Sequence, residues 1–231
     1  METAILMAAG LGSRMRPLTE TIPKPLVPVC GTPMIETVIK CLQQRKVNHI
    51  YIVVGYLGEQ FSYLVKKYDN ITLIENPEYN TVNNISSIHA AGDVLGRSDC
   101  FICETDLVIQ DINLLNVELE HSCYFGKMLS GYSDDWVFEL EDGYITRVGK
   151  GGMDTYNMTG IAYFKKEDAA ILYQAIERAY ASGEYHELFW DDVVNDNLDK
   201  LKLRVHPILP EQIIEIDSID ELHKVEKSLN K

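Results

Sequence analysis

The sequence predicts an α/β fold built on a doubly wound, mostly parallel sheet with helices on both faces. Strand-like and helix-like segments alternate over residues 1–120, which is typical of strand–helix–strand units in a parallel sheet. Gly10, Gly55 and Asp106 each follow a predicted strand. After residue 120 the pattern changes to a hairpin and short strands. This change predicts a small antiparallel β addition in the C-terminal half.

The elements of the first half follow from hydrophobic periodicity. Short apolar or β-branched runs predict strands at 3–9, 49–55, 71–74 and 100–103. Apolar residues at helical spacing predict helices at 33–45, 57–68 and 84–95. A ligand binds beyond the carboxyl ends of the strands in such a sheet. We therefore expect Gly10, Gly55 and Asp106 to lie on one rim.

The second half begins with a predicted hairpin, in which residues 136–141 and 144–148 flank the tight-turn pair Asp142-Gly143. Further strands are predicted at 157–164, 203–205 and 213–216, and helices at 167–181, 188–201 and 218–229. Ser218 and Glu221 match a capping box at the start of the last helix. With no linker or repeat in view, we expect a single Rossmann-like domain over residues 1–231.

Composition excludes several classes of protein. The chain has 231 residues, 46% of them apolar, and a net charge of −14, so we expect an ordinary globular protein with no nucleic-acid partner. No apolar run approaches the roughly 20 residues of a membrane helix, and no signal peptide is predicted. The five cysteines are an odd number, which favours reduced thiols in a cytoplasmic protein. Cys100 and Cys103 lie in a strand, where this spacing puts side chains on opposite faces.

A glycine-rich segment, Met7-Ala-Ala-Gly-Leu-Gly-Ser-Arg14, directly follows the first strand. Glycines at 10 and 12 let backbone N–H groups approach phosphate oxygens, and the guanidinium of Arg14 suits phosphate as a fork of donors. Met15 stands where a dinucleotide fingerprint has its third glycine, and the Gly-Lys-Ser/Thr of a P-loop is absent. A plain turn is the alternative, but Arg14, Arg16 and Lys24 together favour a phosphate site.

The opening of the chain resembles that of the nucleotide–sugar-type nucleotidyltransferases. The segments that carry the resemblance are Gly10-Leu-Gly12-Ser-Arg14, Pro17-Leu18-Thr19 and Pro23-Lys24-Pro25-Leu26. It implies that Gly10, Leu11, Gly12 and Arg14 hold a nucleoside triphosphate and that Lys24 stabilises charge at the α-phosphate. Thr32 stands where this family usually has lysine, and we assign it no role.

Two acidic positions suit a divalent cation. Asp106 follows a strand at the expected rim, and carboxylate oxygens are ligands that Mg²⁺ prefers. Glu215 and Asp217 are two residues apart, so both carboxylates could point into one site. The alternatives are a solvated loop for Asp106 and a helix cap for Asp217. The family resemblance implies that Asp106 and Asp217 bind the metal.

Both tryptophans of the chain adjoin pairs of carboxylates, in Ser133-Asp-Asp-Trp136 and in Trp190-Asp191-Asp192. An aromatic face beside acidic groups is suited to a cation, at roughly 0.5–2 kcal/mol per contact. A core tryptophan next to exposed acids is the alternative for either copy. Two copies outside the nucleotide half favour an acceptor site formed by Trp136, Trp190, Asp191 and Asp192.

Further segments look like those of bacterial CTP:phosphocholine cytidylyltransferases. They are Asn83-Asn84-Ile-Ser-Ser87, Asp135-Trp136, Tyr180-Ala-Ser-Gly-Glu184, Trp190-Asp191 and Glu215-Ile-Asp-Ser218. The resemblance implies that cytosine is read near Ala8, Ala9, Asn84 and Ser87, and that choline sits against Trp136 and Trp190. Ser86 replaces an aromatic residue expected there. Residues 1–120 would then form the nucleotide-binding half and residues 121–231 the acceptor-binding half.

The implied reaction is Mg²⁺-dependent attack of phosphocholine on the α-phosphate of CTP, giving CDP-choline and pyrophosphate. The same chemistry on 2-aminoethylphosphonate, phosphoethanolamine or a sugar-1-phosphate is the first alternative. A non-catalytic nucleotide-sensing module is the second, and a dinucleotide oxidoreductase, disfavoured by Met15, is the third. A homo-oligomer is compatible with the sequence.

Overall fold

A central seven-stranded sheet organises the computed structural model, which describes residues 1–229. The strands are β1 (Glu2–Ala8), β2 (Pro28–Val29), β3 (Thr32–Pro33), β4 (His49–Val54), β5 (Ile71–Glu75), β6 (Asp99–Glu104), β7 (Leu107–Ile109), β8 (Cys123–Glu141), β9 (Tyr144–Phe164), β10 (Arg204–Ile208) and β11 (Ile213–Glu215). The helices are α1 (Met34–Gln44), α2 (Ser62–Lys67), α3 (Ile85–Ala91), α4 (Lys166–Ser182), α5 (Trp190–Asn195) and α6 (Ile219–Leu229).

The strand order in the central sheet is β10-β8-β9-β6-β1-β4-β5. Strands β6, β1, β4 and β5 are parallel to one another. The hairpin β8–β9 joins them antiparallel through β9, and β10 is parallel to β8 at the edge. The predicted parallel core with an antiparallel addition is confirmed.

Helices cover both faces of this sheet, because neighbouring strand residues point in opposite directions. Ala4, Leu6 and Ala8 of β1 pack in one cluster with the apolar side of α1. Ile5 packs in the other cluster, with residues of α3, α4 and α5. Cys103 belongs to the first cluster and Cys100 to the second, as the strand spacing predicts.

The β8–β9 hairpin is much longer than the sequence predicts. Its turn lies at the predicted pair, where Asp142 has φ +50° and Gly143 has φ +79°, values that suit a tight hairpin turn. The unpredicted parts are residues 123–135 and 149–156, which are rich in glycine and polar residues and lack clean alternation. Several register shifts interrupt the pairing there, so the period-2 signal is lost.

Two further differences affect the rim of the sheet. The predicted helix at 188–201 shortens to α5, Trp190–Asn195. The three-residue strand β7 is too short to stand out from its flanking residues, yet it pairs antiparallel with β11. None of the described helices is both long and apolar enough to cross a membrane.

Candidate active site

Gly10, Gly55 and Asp106 share one rim, as expected, because β4, β1 and β6 end side by side. Ala8 pairs with Val54, and Met7 pairs with Glu104. The glycine-rich loop, residues 9–14, leaves this rim. Gly12 adopts the left-handed conformation at φ 60°, which costs glycine little. A Cβ on Gly12 would lie 2.8 Å from Cβ of Lys24, so the loop and the lysine backbone approach closely only with glycine at this position.

Lys24 connects the two predicted metal ligands. Its Nζ donates to Oδ2 of Asp106 and to Oδ1 of Asp217, each at 2.6 Å. Arg14 also pairs with Oδ1 of Asp217 at 2.6 Å, through an exposed side chain. Burial acts to lower the pKa of Lys24, but the charges and hydrogen bonds of Asp106 and Asp217 outweigh it and raise the pKa. The lysine therefore stays charged at the centre of the site.

Strand pairing brings these residues together from distant parts of the chain. Leu107 of β7 pairs with Glu215 of β11, and the backbone N–H of Ile216 donates to the carbonyl of Asp106 at 3.1 Å. This contact places Asp217 next to Asp106. A helix cap was the alternative role for Asp217. Ser218 has that role instead, since its hydroxyl accepts a hydrogen bond from the N–H of Glu221. The side chain of Asp217 remains free to face Lys24.

Carboxylates of Glu104, Asp106 and Glu215 come within 4.8 Å of one another. Burial and the nearby charges of Asp106 and Glu215 raise the pKa of Glu104 well above its usual range. Burial and the charges of Asp106 and Asp217 raise the pKa of Glu215 to about 8. Among the described residues, Oδ1 of Asp106 is buried without a hydrogen-bond partner. This orphaned oxygen and its acidic neighbours fit a hard divalent cation such as Mg²⁺.

A cavity of about 310 Å³ opens over the carboxyl ends of β1 and β6. The predicted nucleotide-site residues that line it are Ala8, Ala9, Gly10, Gly12, Asn84 and Ser87, together with Arg14, Lys24 and Asp106. Leu11 lines an adjoining cavity of about 330 Å³. Arg16 lines neither. The structure thus groups most of the predicted nucleotide-site residues around one cavity. Which atom each of them binds stays a prediction.

Tyr79 lines both of these cavities, and the sequence reasoning missed it. Gly55 makes room for its ring, because a Cβ there would lie 2.6 Å from Cβ of Tyr79. Ser86, which replaces an expected aromatic residue, is buried and accepts from the amide of Asn76 at 2.9 Å. Tyr79 supplies an aromatic side chain to the same cavity.

A third cavity, of about 500 Å³, lies between the rim and the long hairpin. Arg14, Glu104 and Glu215 line both this cavity and the 310 Å³ cavity. Its far wall is an aromatic corner formed by Trp136 and Phe189, whose ring centroids are 5.3 Å apart at 66°. Five carboxylates line the cavity, from Glu104, Asp134, Asp135, Glu215 and Asp217. The arrangement suits a small ligand with a cationic end.

Comparison with known proteins decides the family. Residues 3–123 match the family described as "Nucleotidyl transferase". The chain belongs to this nucleotidyl transferase family. It is 54% identical over 220 residues to a 2-aminoethylphosphonate cytidylyltransferase of Lancefieldella rimae, covering 95% of this chain and 89% of that protein. It is 35% identical to the choline-phosphate cytidylyltransferase of Streptococcus pneumoniae, covering 98% and 97%.

The fold of this nucleotidyltransferase agrees with its relatives. A solved structure of the CTP:phosphocholine cytidylyltransferase from Streptococcus pneumoniae superposes with a TM-score of 0.91 at 34% identity, covering 99% of both chains. The resemblance drawn from the sequence and the Rossmann-like α/β fold are confirmed. The chain is an enzyme of the nucleotidyltransferase class.

The nucleotidyltransferase places three of the predicted acceptor residues away from the third cavity, which Trp136 and Phe189 line. Trp190 is 3% exposed, and its ring packs against Tyr124 and Phe164 in the core. Asp191 is buried and accepts a hydrogen bond from the hydroxyl of Tyr124 at 2.9 Å. Asp192 accepts from the N–H of Phe189 at 2.8 Å and so caps α5.

The reason for this difference is the start of α5. Trp190 is its first residue and turns its ring toward the sheet, while Phe189 precedes the helix in an extended conformation, at ψ 151°. Phe189 therefore reaches Trp136, and the adjacent tryptophan does not. The motif Leu188-Phe-Trp190 indicates an aromatic residue at the cavity, but the sequence alone does not show whether Phe189 or Trp190 faces it. Trp136 lines the third cavity, and its contact with an acceptor stays a prediction.

Proposed function

We propose that this nucleotidyltransferase transfers a cytidylyl group from CTP to a small acceptor that carries a phosphorus oxyanion and an ammonium group. The carrying observation is the acid-lined aromatic corner that adjoins the Lys24–Asp106–Asp217 centre. The first candidate acceptor is 2-aminoethylphosphonate, and the second is phosphocholine. The products are the anhydride that joins CMP to the acceptor's phosphorus group and pyrophosphate.

The nucleotide is bound at the rim of the sheet. Backbone N–H groups of Gly10, Leu11 and Gly12 face the triphosphate, since helix and loop amides at the carboxyl ends of strands suit phosphate oxygens. Ala8, Ala9, Asn84 and Ser87 surround the base. The side-chain oxygen of Asn84 accepts from the N–H of Trp190 at 3.0 Å, which ties the base pocket to α5.

Asp106 and Asp217, with Glu104 and Glu215 beside them, are the residues that would hold Mg²⁺. The metal would supply positive charge to the phosphate oxygens during transfer. Lys24 and Arg14 both form salt bridges with Asp217. We infer that these two cations turn to the phosphates when the nucleotide is bound, Lys24 to the α-phosphate and Arg14 to the leaving pyrophosphate.

Transfer needs positioning and charge stabilisation rather than a protein nucleophile. An anionic oxygen of the acceptor forms a bond to the α-phosphorus, and the bond from that phosphorus to the β-phosphate oxygen breaks. The electron pair leaves with pyrophosphate. No general base is required, because the attacking oxygen carries negative charge at neutral pH. Lys24 is suited to stabilise the charge that spreads over the α-phosphate oxygens.

Two observations rank the candidate acceptors. The relative at 54% identity is a 2-aminoethylphosphonate cytidylyltransferase, and Asp134 and Asp135 offer carboxylates that a primary ammonium can use as hydrogen-bond acceptors. The aromatic corner of Trp136 and Phe189 supports phosphocholine as well, since cation–π contact also holds quaternary ammonium groups. A sugar-1-phosphate would leave both the corner and the carboxylates without a cationic partner.

The test is pyrophosphate release with Mg²⁺, four nucleoside triphosphates and four acceptors, namely 2-aminoethylphosphonate, phosphocholine, phosphoethanolamine and glucose-1-phosphate. We expect release with CTP and a cationic acceptor, with the highest kcat/KM for 2-aminoethylphosphonate. A preference for glucose-1-phosphate would contradict the acceptor class. Tight CTP binding without pyrophosphate release from any pair would favour a nucleotide-sensing module.

A further inference from the structure

Lys150 lines the third cavity, the one that Trp136 and Phe189 line and that is proposed above for the acceptor. It has no part in the reaction derived above. It is the direct cross-strand partner of Trp136 in the β8–β9 hairpin, and directly paired residues of an antiparallel hairpin lie side by side. Its Nζ is 5.8 Å from the ring centroid of Trp136 and 5.2 Å from that of Phe189. Both distances are within the roughly 6 Å range of a cation–π contact. An ammonium of the chain itself therefore occupies the aromatic corner.

The electrostatic environment of the Trp136–Phe189 corner favours a cation. Five carboxylates line the cavity, and Arg14 and Lys150 are its two cationic side chains. Arg14 is already paired with Asp217. Within residues 1–229, Lys150 forms no salt bridge, so the two rings are its close partners. Its charge offsets part of the negative charge of the cavity without pairing with any one carboxylate.

The backbone of Lys150 is fixed while its side chain is free to move. Arg147 donates to the carbonyl of Lys150 at 2.7 Å and to that of Gly151 at 3.3 Å, and it is itself held by Glu139 at 2.9 Å. Lys150 is exposed, and its neighbours Gly149, Gly151 and Gly152 carry no side chains that would confine it. A flexible four-carbon stem can thus swing the ammonium out of the corner.

We propose that Lys150 is a tethered occupant of the acceptor's ammonium position and a determinant of acceptor specificity. The proposal rests on the proposed function, because it assumes that the acceptor's cationic end binds in the Trp136–Phe189 corner. An acceptor with an ammonium group exchanges one cation for another at the aromatic corner. An acceptor without a cation cannot replace Lys150, so the corner stays filled by the enzyme's own side chain.

The test compares Lys150→Met, Lys150→Arg and the matched control Lys40→Met in the full chain. Methionine keeps a long side chain but removes the charge, while arginine keeps the charge. Lys40 is exposed on α1 and lines none of the cavities described above. Steady-state pyrophosphate release gives KM for 2-aminoethylphosphonate, phosphocholine and CTP. Loss of a competing cation–π contact should lower KM for the cationic acceptors about two- to thirty-fold in Lys150→Met, with KM for CTP unchanged and Lys150→Arg close to wild type.

Two outcomes overturn the proposal. A higher acceptor KM in Lys150→Met would mean that Lys150 binds the acceptor's phosphorus oxyanion, and an unchanged KM would mean that it is a bystander. Failure of the proposed function looks different, since wild type would then release no pyrophosphate with any cationic acceptor. In that case, calorimetric titration with ethylammonium still tests Lys150. Tighter binding to Lys150→Met than to wild type supports the tethered occupant, and equal binding refutes it.

Discussion

The nucleotide rim and the acceptor corner of this nucleotidyltransferase are built on different principles. At the rim, a lysine side chain that is only 10% exposed is held between two carboxylates from distant segments. At the corner, a half-buried tryptophan and an exposed lysine stand on a hairpin with several register shifts. Under the proposed function, the corner can therefore change without disturbing the rim, and acceptor choice can diverge while the transfer chemistry is retained.

The rim should carry the largest effect of any single substitution on turnover. We expect Lys24→Ala to lower kcat by roughly 10²–10³-fold, because it removes a buried positive charge aimed at developing negative charge. KM for the acceptor should change far less. Steady-state pyrophosphate release checks the expectation, with Lys40→Ala as a surface control and circular dichroism to verify the fold. Turnover within ten-fold of wild type would show that Lys24 does not stabilise the transferred phosphate. The rim and the corner would then no longer differ in their effect on catalysis.

The largest effect on stability concerns Trp190, which the sequence predicts in the acceptor site and the structure places in the core. Trp190→Ala should reduce the free energy of unfolding by about 3–5 kcal/mol, the usual cost of deleting a buried large aromatic side chain. Urea denaturation measures it, and Trp136→Ala, at a half-buried position, should cost clearly less. A Trp190→Ala protein that is as stable as wild type but has a higher KM for the acceptor would support the predicted role of Trp190 in acceptor binding.

These contrasts show why one region was easier to predict than the other. The rim is encoded by contiguous motifs and by strand ends, so Gly12, Lys24 and Asp106 could be placed together from the sequence. Glu104 was not predicted as a site residue. An acid two residues before Asp106 indicates a site only once the pairing of β7 with β11 brings Glu215 close to both. The corner depends on side-chain direction at a helix start. Phe189 and Trp190 are neighbours, and only packing of α5 on the sheet decides between them.

A smaller effect separates Asp191 from the acceptor site. Burial raises the pKa of Asp191 to about 7, above the value of about 3.9 for an unfolded aspartate. Its neutral form is thus favoured in the folded state, and its contribution to stability is fully present below pH 4. That contribution is lost as the pH rises to 7, at up to about 1.4 kcal/mol per pH unit.

Asp191→Asn should therefore weaken the decline of unfolding free energy between pH 4 and pH 7, since asparagine stays neutral and can still accept from Tyr124. Urea denaturation across this range measures the decline in wild type and variant. Asp196→Asn, at an exposed position just after α5, is the matched control. Identical pH profiles for wild type and Asp191→Asn would show that Asp191 is ionised in the folded protein, and that it is open to a role in binding a cation.

The smallest predicted effect tests the corner directly. Trp136→Ala should raise KM for 2-aminoethylphosphonate about two- to thirty-fold, the range of one cation–π contact, while kcat and KM for CTP stay near wild type. The reason is that, under the proposed function, Trp136 contacts the acceptor's cationic end, while it does not line the 310 Å³ cavity proposed for the nucleotide. Trp136→Phe, which keeps an aromatic face, should recover most of the affinity. An equal rise in KM for CTP and for the acceptor would mean that the hairpin supports the rim as well, and the two regions would then be a single unit.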